Sequence, residues 1–491
     1  MYMEKRKIFG IFIGTVLVFT LLYLLYWRGL VSSTRFFDVD EFSYMHWTAQ
    51  VARGEHMYTD FFSYFTPGFM WVFAPIFWIY GVSVNVFSAA RTVSFVIFLG
   101  MLWSLGYLFG ITRGWRWALL PVVILAFLPM PYDKFLEIRP DNLATLLGII
   151  GVVGEVRAIR ERKNVWWMVS GLAYGLSLFV LVKTLPFVIV GTIIAAFSKK
   201  LRVFTLPVIA PWFLFFLGAW ISGTFGVMWY SLTRLPLEVY KTAVNYPMIP
   251  SLFFYPNADF YGGNGLTPGL LANHAIWILG VLAAAYRLVT PFRDGKKTRV
   301  YEELLIGSIC FVSIFLYVKY YPLKHSQYLI PIAVFIAYYA GDALARFFDW
   351  LERAGGHTSL ILVLAGFVYL VVTVTKDVNT PKLWVTNTPQ MAELARMIKI
   401  IPPAARVVDL EGRMVFWRDG YPISSLPFDA FLSYVSRRPT PLSQYLSLHP
   451  VEYIYEGDSN RFITFTADDA AYIKDNYVAV AGFGGRLLKR L

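Results

Sequence analysis

The sequence predicts a multi-spanning α-helical membrane protein that ends in a small α/β domain. Three observations carry this reading. The composition is 57% hydrophobic and only 15% charged, with a mean hydropathy of +0.55. Apolar runs long enough to cross a bilayer recur along most of the chain, and the pattern changes near residue 376. So few charges cannot cover an ordinary soluble surface. The net charge of +13 does not point to nucleic acid, because the basic residues fall in short clusters between apolar runs, as in cytoplasmic loops of membrane proteins. Cys310, the single cysteine, lies inside an apolar run, so neither an internal disulfide nor a thiolate metal site can form.

In chain order, about eleven spans are expected, near 8–30, 83–110, 117–131, 142–157, 165–183, 185–198, 203–222, 269–289, 302–318, 327–346 and 359–375. The first is an uncleaved helix rather than a signal peptide, being long and lacking a small-residue cleavage site. Basic clusters at Lys5–Lys7, Arg113 and Arg116, Arg157–Lys163, Lys199–Arg202, Arg293–Arg299 and Arg346–Arg353 all become cytoplasmic under one orientation. That orientation describes a multi-pass protein of the plasma (inner) membrane with its N-terminus cytoplasmic and its C-terminal domain extracytoplasmic. It requires a turn between 165 and 198, and Lys183-Thr184-Leu185-Pro186 is the polar, proline-bearing interruption that supplies one.

The catalytic unit is then expected over 1–375, with outer loops at 31–82, 131–141, 223–268 and 319–326. Their carboxylates gather on that face: Asp38, Asp40, Glu41, Glu55 and Asp60, then Asp133, Glu137 and Asp141, and Asp259. Residues 376–491, about 115 in all, form the second domain. It should hold an amphipathic helix from Thr388-Pro389, a strand at 406–410, alternating strands in VEYIYEG and RFITF, a helix in DDAAYIKDNY, and a hairpin around Gly482–Gly485. GFGGR reads as that turn, since it lacks the lysine and the strand-to-helix setting of a phosphate loop.

The chemistry is sought in the first outer loop. After Asp40, apolar residues at Phe42, Met45, Ala49 and Ala52 predict a helix lying along the membrane interface, with Gln50 and Arg53 on other faces. Asp40 is either the N-cap of that helix or a reactive carboxylate. A cap alone leaves unexplained why Asp38, Asp40 and Glu41 crowd beside a bilayer, where each charge needs water, a cation or a partner. Sugar transfer from a polyprenyl phosphate needs a base for the acceptor hydroxyl, a cation for the departing phosphate and an apolar groove for the lipid. Arg53, Arg139, Lys183, Arg234, Lys241 and Lys324 are the outer-face cations, each also readable as an interfacial anchor. Lys183 stands out because an unpartnered lysine at a forced turn between short apolar helices is costly. Asp60, among Tyr58, Phe61 and Phe62, either lines a sugar site or anchors a loop. Arg139 and Asp141 flank Pro140 as a phosphate pair or as a cap. A divalent cation, Mg or Mn, on Asp38 and Asp40 stays open, whereas the six histidines have no paired spacing that suits zinc.

These segments resemble the GT-C superfamily of polyprenyl-phosphate-dependent glycosyltransferases, in the branch of the protein O-mannosyltransferases and the lipid A aminoarabinose transferase. The resemblance rests on Asp40-Glu41, YTDFFSYFTPG, IYGVSVNVFSAARTVS with Arg91, EIRPDNLATLL, GLAYGLSLFVLVKTLP and HSQYLIPIAVFIAYYAG. It implies an inverting transferase on the outer face, with an undecaprenyl- or dolichyl-phosphate sugar as donor and a protein, glycan or lipid as acceptor. Asp40 would be the base and Glu41 its support. Where the aminoarabinose branch carries Lys-Pro, this chain has Thr66-Pro67, which shifts phosphate binding toward Lys183, Arg139 and Lys324-His325. The rival readings are a transporter or flippase of lipid-linked sugars and an anchored receptor. The first would place charges at the bilayer midplane, often in repeated halves, and the second needs far fewer spans.

Overall fold

In the computed structural model, residues 2–238, 240, 255–290, 297–321, 324–409, 413–422, 436, 440–456 and 466–491 are described, with side chains from residue 9 onward. The helices in chain order are α1 (Tyr2–Thr34), α2 (Val39–Ala52), α3 (Gly68–Tyr80), α4 (Asn85–Arg113), α5 (Leu119–Phe127), α6 (Pro140–Glu161), α7 (Asn164–Val180), α8 (Leu185–Phe197) and α9 (Leu201–Ile221). Two short helices follow, α10 (Phe225–Trp229) and α11 (Ala258–Tyr261). Then come α12 (Pro268–Val289), α13 (Lys297–Lys319), α14 (Ile330–Asn379), α15 (Thr388–Ile400), α16 (Leu442–Leu448) and α17 (Ala467–Asn476).

Among the described residues, seven helical stretches, containing α1, α4, α6, α9, α12, α13 and α14, are long and apolar enough to cross a membrane. Helices α3, α5, α7 and α8 are apolar but shorter. The run 165–198 does turn, at Val182–Thr184, and Pro186 sits in the first turn of α8. The expected spans 327–346 and 359–375 lie in one stretch, α14, interrupted at Gly356, whose φ of 71° a helix cannot accommodate. Helix α3 occupies part of the segment read as outer loop 31–82, an apolar helix that the sequence count omits. Close approach of α7 to α9 is possible because Gly171 and Gly175 lack side chains. A Cβ there would lie 2.2 Å from the Phe204 carbonyl and 2.4 Å from that of Val208.

Arg28, near the end of α1, is fully buried, and it secures the loop after α5. Its guanidinium donates to the carbonyls of Leu125 (3.3 Å), Ala126 (2.7 Å) and Tyr132 (3.0 Å), satisfying the open carbonyl end of α5. It also lies 3.8 Å from the Tyr132 ring centre.

The C-terminal domain is a five-stranded sheet of order β2-β1-β3-β5-β4, built from β1 (Arg406–Asp409), β2 (Arg418–Asp419), β3 (Tyr453–Tyr455), β4 (Tyr477–Ala479) and β5 (Leu487–Arg490). Strand β1 runs parallel to β2 and β3, while β5 is antiparallel to β3 and β4. Helices α15 and α17 and the β4–β5 hairpin fall where the sequence pattern puts them. The expected strand RFITF lies outside the described residues.

Helix α2 differs from its expected setting. It does not lie along an interface with one wet face, because every residue from Glu41 to Gln50 is buried. The C-terminal domain covers its polar side. His46 meets Asp419 at 2.8 Å, Gln50 donates to the Trp417 carbonyl at 2.6 Å, and Arg53 donates to the Phe416 carbonyl. Burial opposes protonation of His46, yet the Asp419 carboxylate outweighs it and raises the imidazole pKa. One apolar cluster runs from Phe42 and Met45 through Phe73 and Phe87 to Phe416 and Trp417.

The start of α2 is fixed to α4 by Glu41, which has no exposed surface and accepts from Arg91 Nε at 2.9 Å and Nη2 at 2.7 Å. Replacing Arg91 with Met should therefore leave a buried unpaired carboxylate and destabilise the protein by about 3–5 kcal/mol. A thermal melt of the detergent-purified variant indistinguishable from wild type would refute this anchoring role.

Candidate active site

Three segments converge at one end of the helix bundle: the entry to α2, the loop 128–139 between α5 and α6, and the turn between α7 and α8. The loop is gathered by Asn142, whose amide donates to the carbonyls of Lys134 (3.1 Å), Phe135 (3.3 Å) and Glu137 (3.1 Å). Asp38, not Asp40, is the N-cap of α2. Its Oδ1 accepts from the Asp40 N–H at 3.0 Å while Glu41 Oε2 accepts from the Asp38 N–H at 2.9 Å, completing a capping box. The cap reading weighed for Asp40 thus belongs two residues earlier, and the Asp40 side chain is left for another partner. That partner is Arg139, whose Nη2 stands 2.9 Å from Asp40 Oδ2.

Around this contact lies a lattice of alternating charge. Arg139 also pairs with Glu137 and lies 3.6 Å from Asp38. Lys134 bonds Glu137 at 2.7 Å and Asp38 at 3.2 Å. Arg35 reaches Glu137 at 3.2 Å and Asp133 at 3.5 Å, and Lys382 meets Asp133 at 2.6 Å. On the other side, Lys183 Nζ is 3.4 Å from Asp141 Oδ1 and 3.7 Å from the Tyr328 ring centre. Most of these groups are buried. The three with substantial exposure are Asp40 at 33%, Lys183 at 28% and Asp38 at 26% of the side chain.

Burial disfavours the Asp38 carboxylate, but Lys134 and Arg139 prevail and hold its pKa well below the usual range. Burial likewise disfavours the Lys134 ammonium, and Glu137 reverses the sign, so its pKa rises. Lys183 goes the other way. Burial dominates there, Asp141 only partly offsets it, and the ammonium pKa is lowered.

Among the residues singled out from sequence, Asp38, Asp40, Glu41, Arg139, Asp141 and Lys183 come together. His325 is exposed and stands edge-on to Tyr328 at 5.7 Å between ring centres. The others are placed elsewhere. Arg53 sits at the far end of α2, roughly 20 Å from Asp40 at 1.5 Å per residue, bound to the C-terminal domain. Asp60 accepts from its neighbour His56 at 2.8 Å in a local turn. Lys324 donates to the carbonyls of Tyr317, Val318 (2.8 Å) and Tyr321 (2.7 Å), capping the end of α13. Arg234 is exposed at the end of the turn after α10, and Lys241 lies outside the described residues.

Lys134 pairs with Asp38, and Arg139 with Asp40 and more distantly with Asp38, so both carboxylates have cationic side-chain partners. Among the described residues no group of three or more metal-ligating side chains is assembled. Sequence reasoning missed Arg35, Lys134 and Lys382. Lys134 had a legible signal, lying three residues before Glu137 in a proline-bounded loop. Lys382, 249 residues from Asp133, had none.

No family model and no curated protein matches the sequence. Solved structures do match in fold. ArnT from Cupriavidus metallidurans bound to undecaprenyl phosphate superposes with a TM-score of 0.63 at 12% identity, covering 97% of this chain and 98% of ArnT. The Archaeoglobus fulgidus oligosaccharyltransferase tethered to an acceptor peptide matches with a TM-score of 0.55 at 12% identity, over 95% of this chain and 72% of that one. The archaeal oligosaccharyltransferase AglB from Archaeoglobus fulgidus, with an inhibitory peptide and a dolichol-phosphate, gives 0.56 at 12% identity, over 90% of this chain and 69% of that one. At 12% identity the likeness is one of fold, and the chain shares the fold of these structures.

Asp38→Asn keeps a good N-cap but removes the charge that faces Lys134. Because the folded carboxyl has the lower pKa, its contribution is complete above the unfolded value near ~3.9 and fades as pH falls through the folded value. The variant should be less stable by about 2 kcal/mol at pH 7, and its melting-temperature gap from wild type should begin to narrow as pH falls below about 4 and keep narrowing toward about pH 2. A gap that stays constant across that range would remove the charge contribution.

Proposed function

We propose that this chain is an inverting glycosyltransferase that moves a sugar from a polyprenyl-phosphate donor to an acceptor hydroxyl on the outer face of the membrane. The observation that carries the reading is that an accessible carboxylate, Asp40, held by Arg139, and an accessible ammonium, Lys183, held by Asp141, flank the same Arg139-Pro140-Asp141 segment. The fold shared with ArnT and AglB supports it, as do the undecaprenyl phosphate and dolichol-phosphate bound in those two structures.

In this reading Asp40 Oδ1, which has no partner among the described residues, accepts the proton of the acceptor hydroxyl. Arg139 holds the other oxygen and fixes the direction of that lone pair. The acceptor oxygen attacks the anomeric carbon from the side opposite the phosphate. The carbon–oxygen bond to phosphate breaks, its electron pair remains on the phosphate, and the anomeric configuration inverts. Lys183, oriented by Asp141 and Tyr328, balances the charge on the departing polyprenyl phosphate. Glu41 acts as a positioning residue that sets the pitch of α2. Asp38 does the same by holding Lys134, and exposed His325 borders the donor headgroup. The acceptor is a protein, glycan or lipid hydroxyl.

The same reading takes eleven crossings, with α14 counting as two on either side of Gly356 and the shorter α5, α7 and α8 completing the set. It puts the N-terminus in the cytoplasm and residues 376–491 outside the inner membrane, as the distribution of basic residues favours.

Asp40→Asn should lower kcat by about 10²–10⁴ while leaving the melting temperature unchanged, since Asn still accepts from Arg139. Full turnover of a defined polyprenyl-phosphate sugar by that variant would exclude Asp40 as base. Lys183→Ala should weaken donor binding roughly 30-fold, measured by titration with polyprenyl phosphate. Donor affinity equal to wild type would transfer phosphate recognition to another group.

A further inference from the structure

A cavity of about 510 Å³, within the size range of ligand pockets, lies where the α11–α12 connection meets the end of α14 and the turn Pro381–Leu383. Its walls are fixed by close backbone approach. Gly262, at a φ of 75°, packs on Asp377, where a Cβ would stand 3.3 Å from the carbonyl carbon, and a Cβ on Gly269 would stand 2.7 Å from the Tyr261 carbonyl oxygen. Both sides of the cavity also hold the loop 128–139 of the candidate active site. Lys382, next to the lining residue Pro381, pairs with Asp133 at 2.6 Å. From the other wall, Tyr261 accepts from the Asn273 amide at 3.4 Å, and Asn273 accepts from the Met130 N–H at 3.1 Å. The cavity therefore lies at the same end of the bundle as that site.

Two of the lining residues are charged, Lys376 and Asp377. Both are exposed, and neither has an ion-pair or side-chain hydrogen-bond partner among the described residues. Consecutive residues on a helix do not face each other, so the two do not neutralise one another. The lining thus offers one cation and one anion side by side, which complements a zwitterion rather than an ion of either sign. The face of α14 below it is apolar and open. Tyr369 is 73% exposed two turns before Lys376, and exposed Leu362 stands two turns before Tyr369. Trp384, 83% exposed, lines the mouth. An apolar stripe on a helix long enough to cross a membrane, leading to a polar hollow with an indole at its edge, matches the chain and headgroup of one lipid. We propose that this cavity binds the headgroup of phosphatidylethanolamine, phosphate on Lys376 and ammonium on Asp377, in the leaflet on the side of the candidate active site. Phosphatidylcholine carries the same charges, but its quaternary ammonium has no N–H to donate to a carboxylate, and phosphatidylglycerol has no cation at all. The site is independent of the transfer reaction, and neither Lys376 nor Asp377 takes part in the chemistry proposed above.

The test is native mass spectrometry of the delipidated full chain titrated separately with phosphatidylethanolamine, phosphatidylcholine and phosphatidylglycerol of identical acyl chains, and with soluble glycerophosphoethanolamine. Phosphatidylethanolamine should bind at least about ten-fold more tightly than either of the other lipids, the worth of one charge-assisted hydrogen bond. Asp377→Asn should cut that preference to less than about three-fold, and Lys376→Gln should weaken all three lipids about five-fold. Unchanged melting temperatures show that the variants are folded, and the wild-type preference among the lipids stands as a test without any variant. Equal affinity for phosphatidylethanolamine and phosphatidylcholine, a preference undiminished in Asp377→Asn, undiminished lipid binding by Lys376→Gln, or glycerophosphoethanolamine competing as effectively as the lipid would overturn the proposal.

Discussion

The buried pair between Glu41 and Arg91 fixes the geometry on which the candidate site depends. Taking two ions out of water costs several kcal/mol each unless every hydrogen-bonding position is filled, and here nearly all are. Glu41 accepts from two guanidinium nitrogens and from the N–H groups of Asp38 and Ile138, both at 2.9 Å. Arg91 in turn donates to the carbonyls of Ser32, Arg35 and Phe36, each at 2.8 Å. One ion pair thereby ties the end of α1, the start of α2, the head of α4 and the loop before α6. Asp40 is the residue immediately before Glu41, so its direction follows from that tie.

Beyond this anchor, charge alternation decides which groups are structural and which can meet a ligand. Asp133, Glu137 and Arg139 are buried, Glu137 pairing with Arg139 and Arg35 and Asp133 with Arg35 and Lys382, so their charges are already balanced by neighbours. Lys134 stiffens the array by bridging the loop to the N-cap Asp38. Asp40 and Lys183 sit at its edges, each with a partner on one side and an exposed face on the other. An array of fixed charges that needs no rearrangement to receive developing charge is the electrostatic form of preorganisation. Its rigidity comes from backbone as much as from ion pairs, since Asn142 and Arg28 fasten the connecting loop by its carbonyls.

Helix α2 is held from both sides. Its apolar residues pack on α3 and α4, while His46, Gln50 and Arg53 bind the edge of the C-terminal sheet through Asp419 and the carbonyls of Trp417 and Phe416. The C-terminal domain is thus part of the support for the helix whose first turn carries the acidic residues. This explains why a helix with polar residues on several faces is nevertheless buried almost all round.

Local pattern was enough to identify the membrane class, the apolar helices other than α3, the turn at Lys183-Pro186, helices α15 and α17 and the closing hairpin of the tail, and the segments that supply the candidate site. Hydrophobic periodicity, proline and charge clustering act over a few residues, so they are visible without a fold. The roles within each segment depended on contacts across the chain. The spacing of Asp38 and Glu41 is a local capping-box signal, but what faces Asp40 is not local, because Arg139 reaches it at 2.9 Å from a loop 99 residues away. Lys324 and Arg53 looked equivalent to Lys183 as outer-face cations. Tertiary structure gives the first a helix end to cap and the second a carbonyl of the C-terminal domain, and it leaves Lys183 beside Asp141 with part of its surface open. A charge's role depends on what desolvates it and what faces it, and both are set by segments remote in sequence.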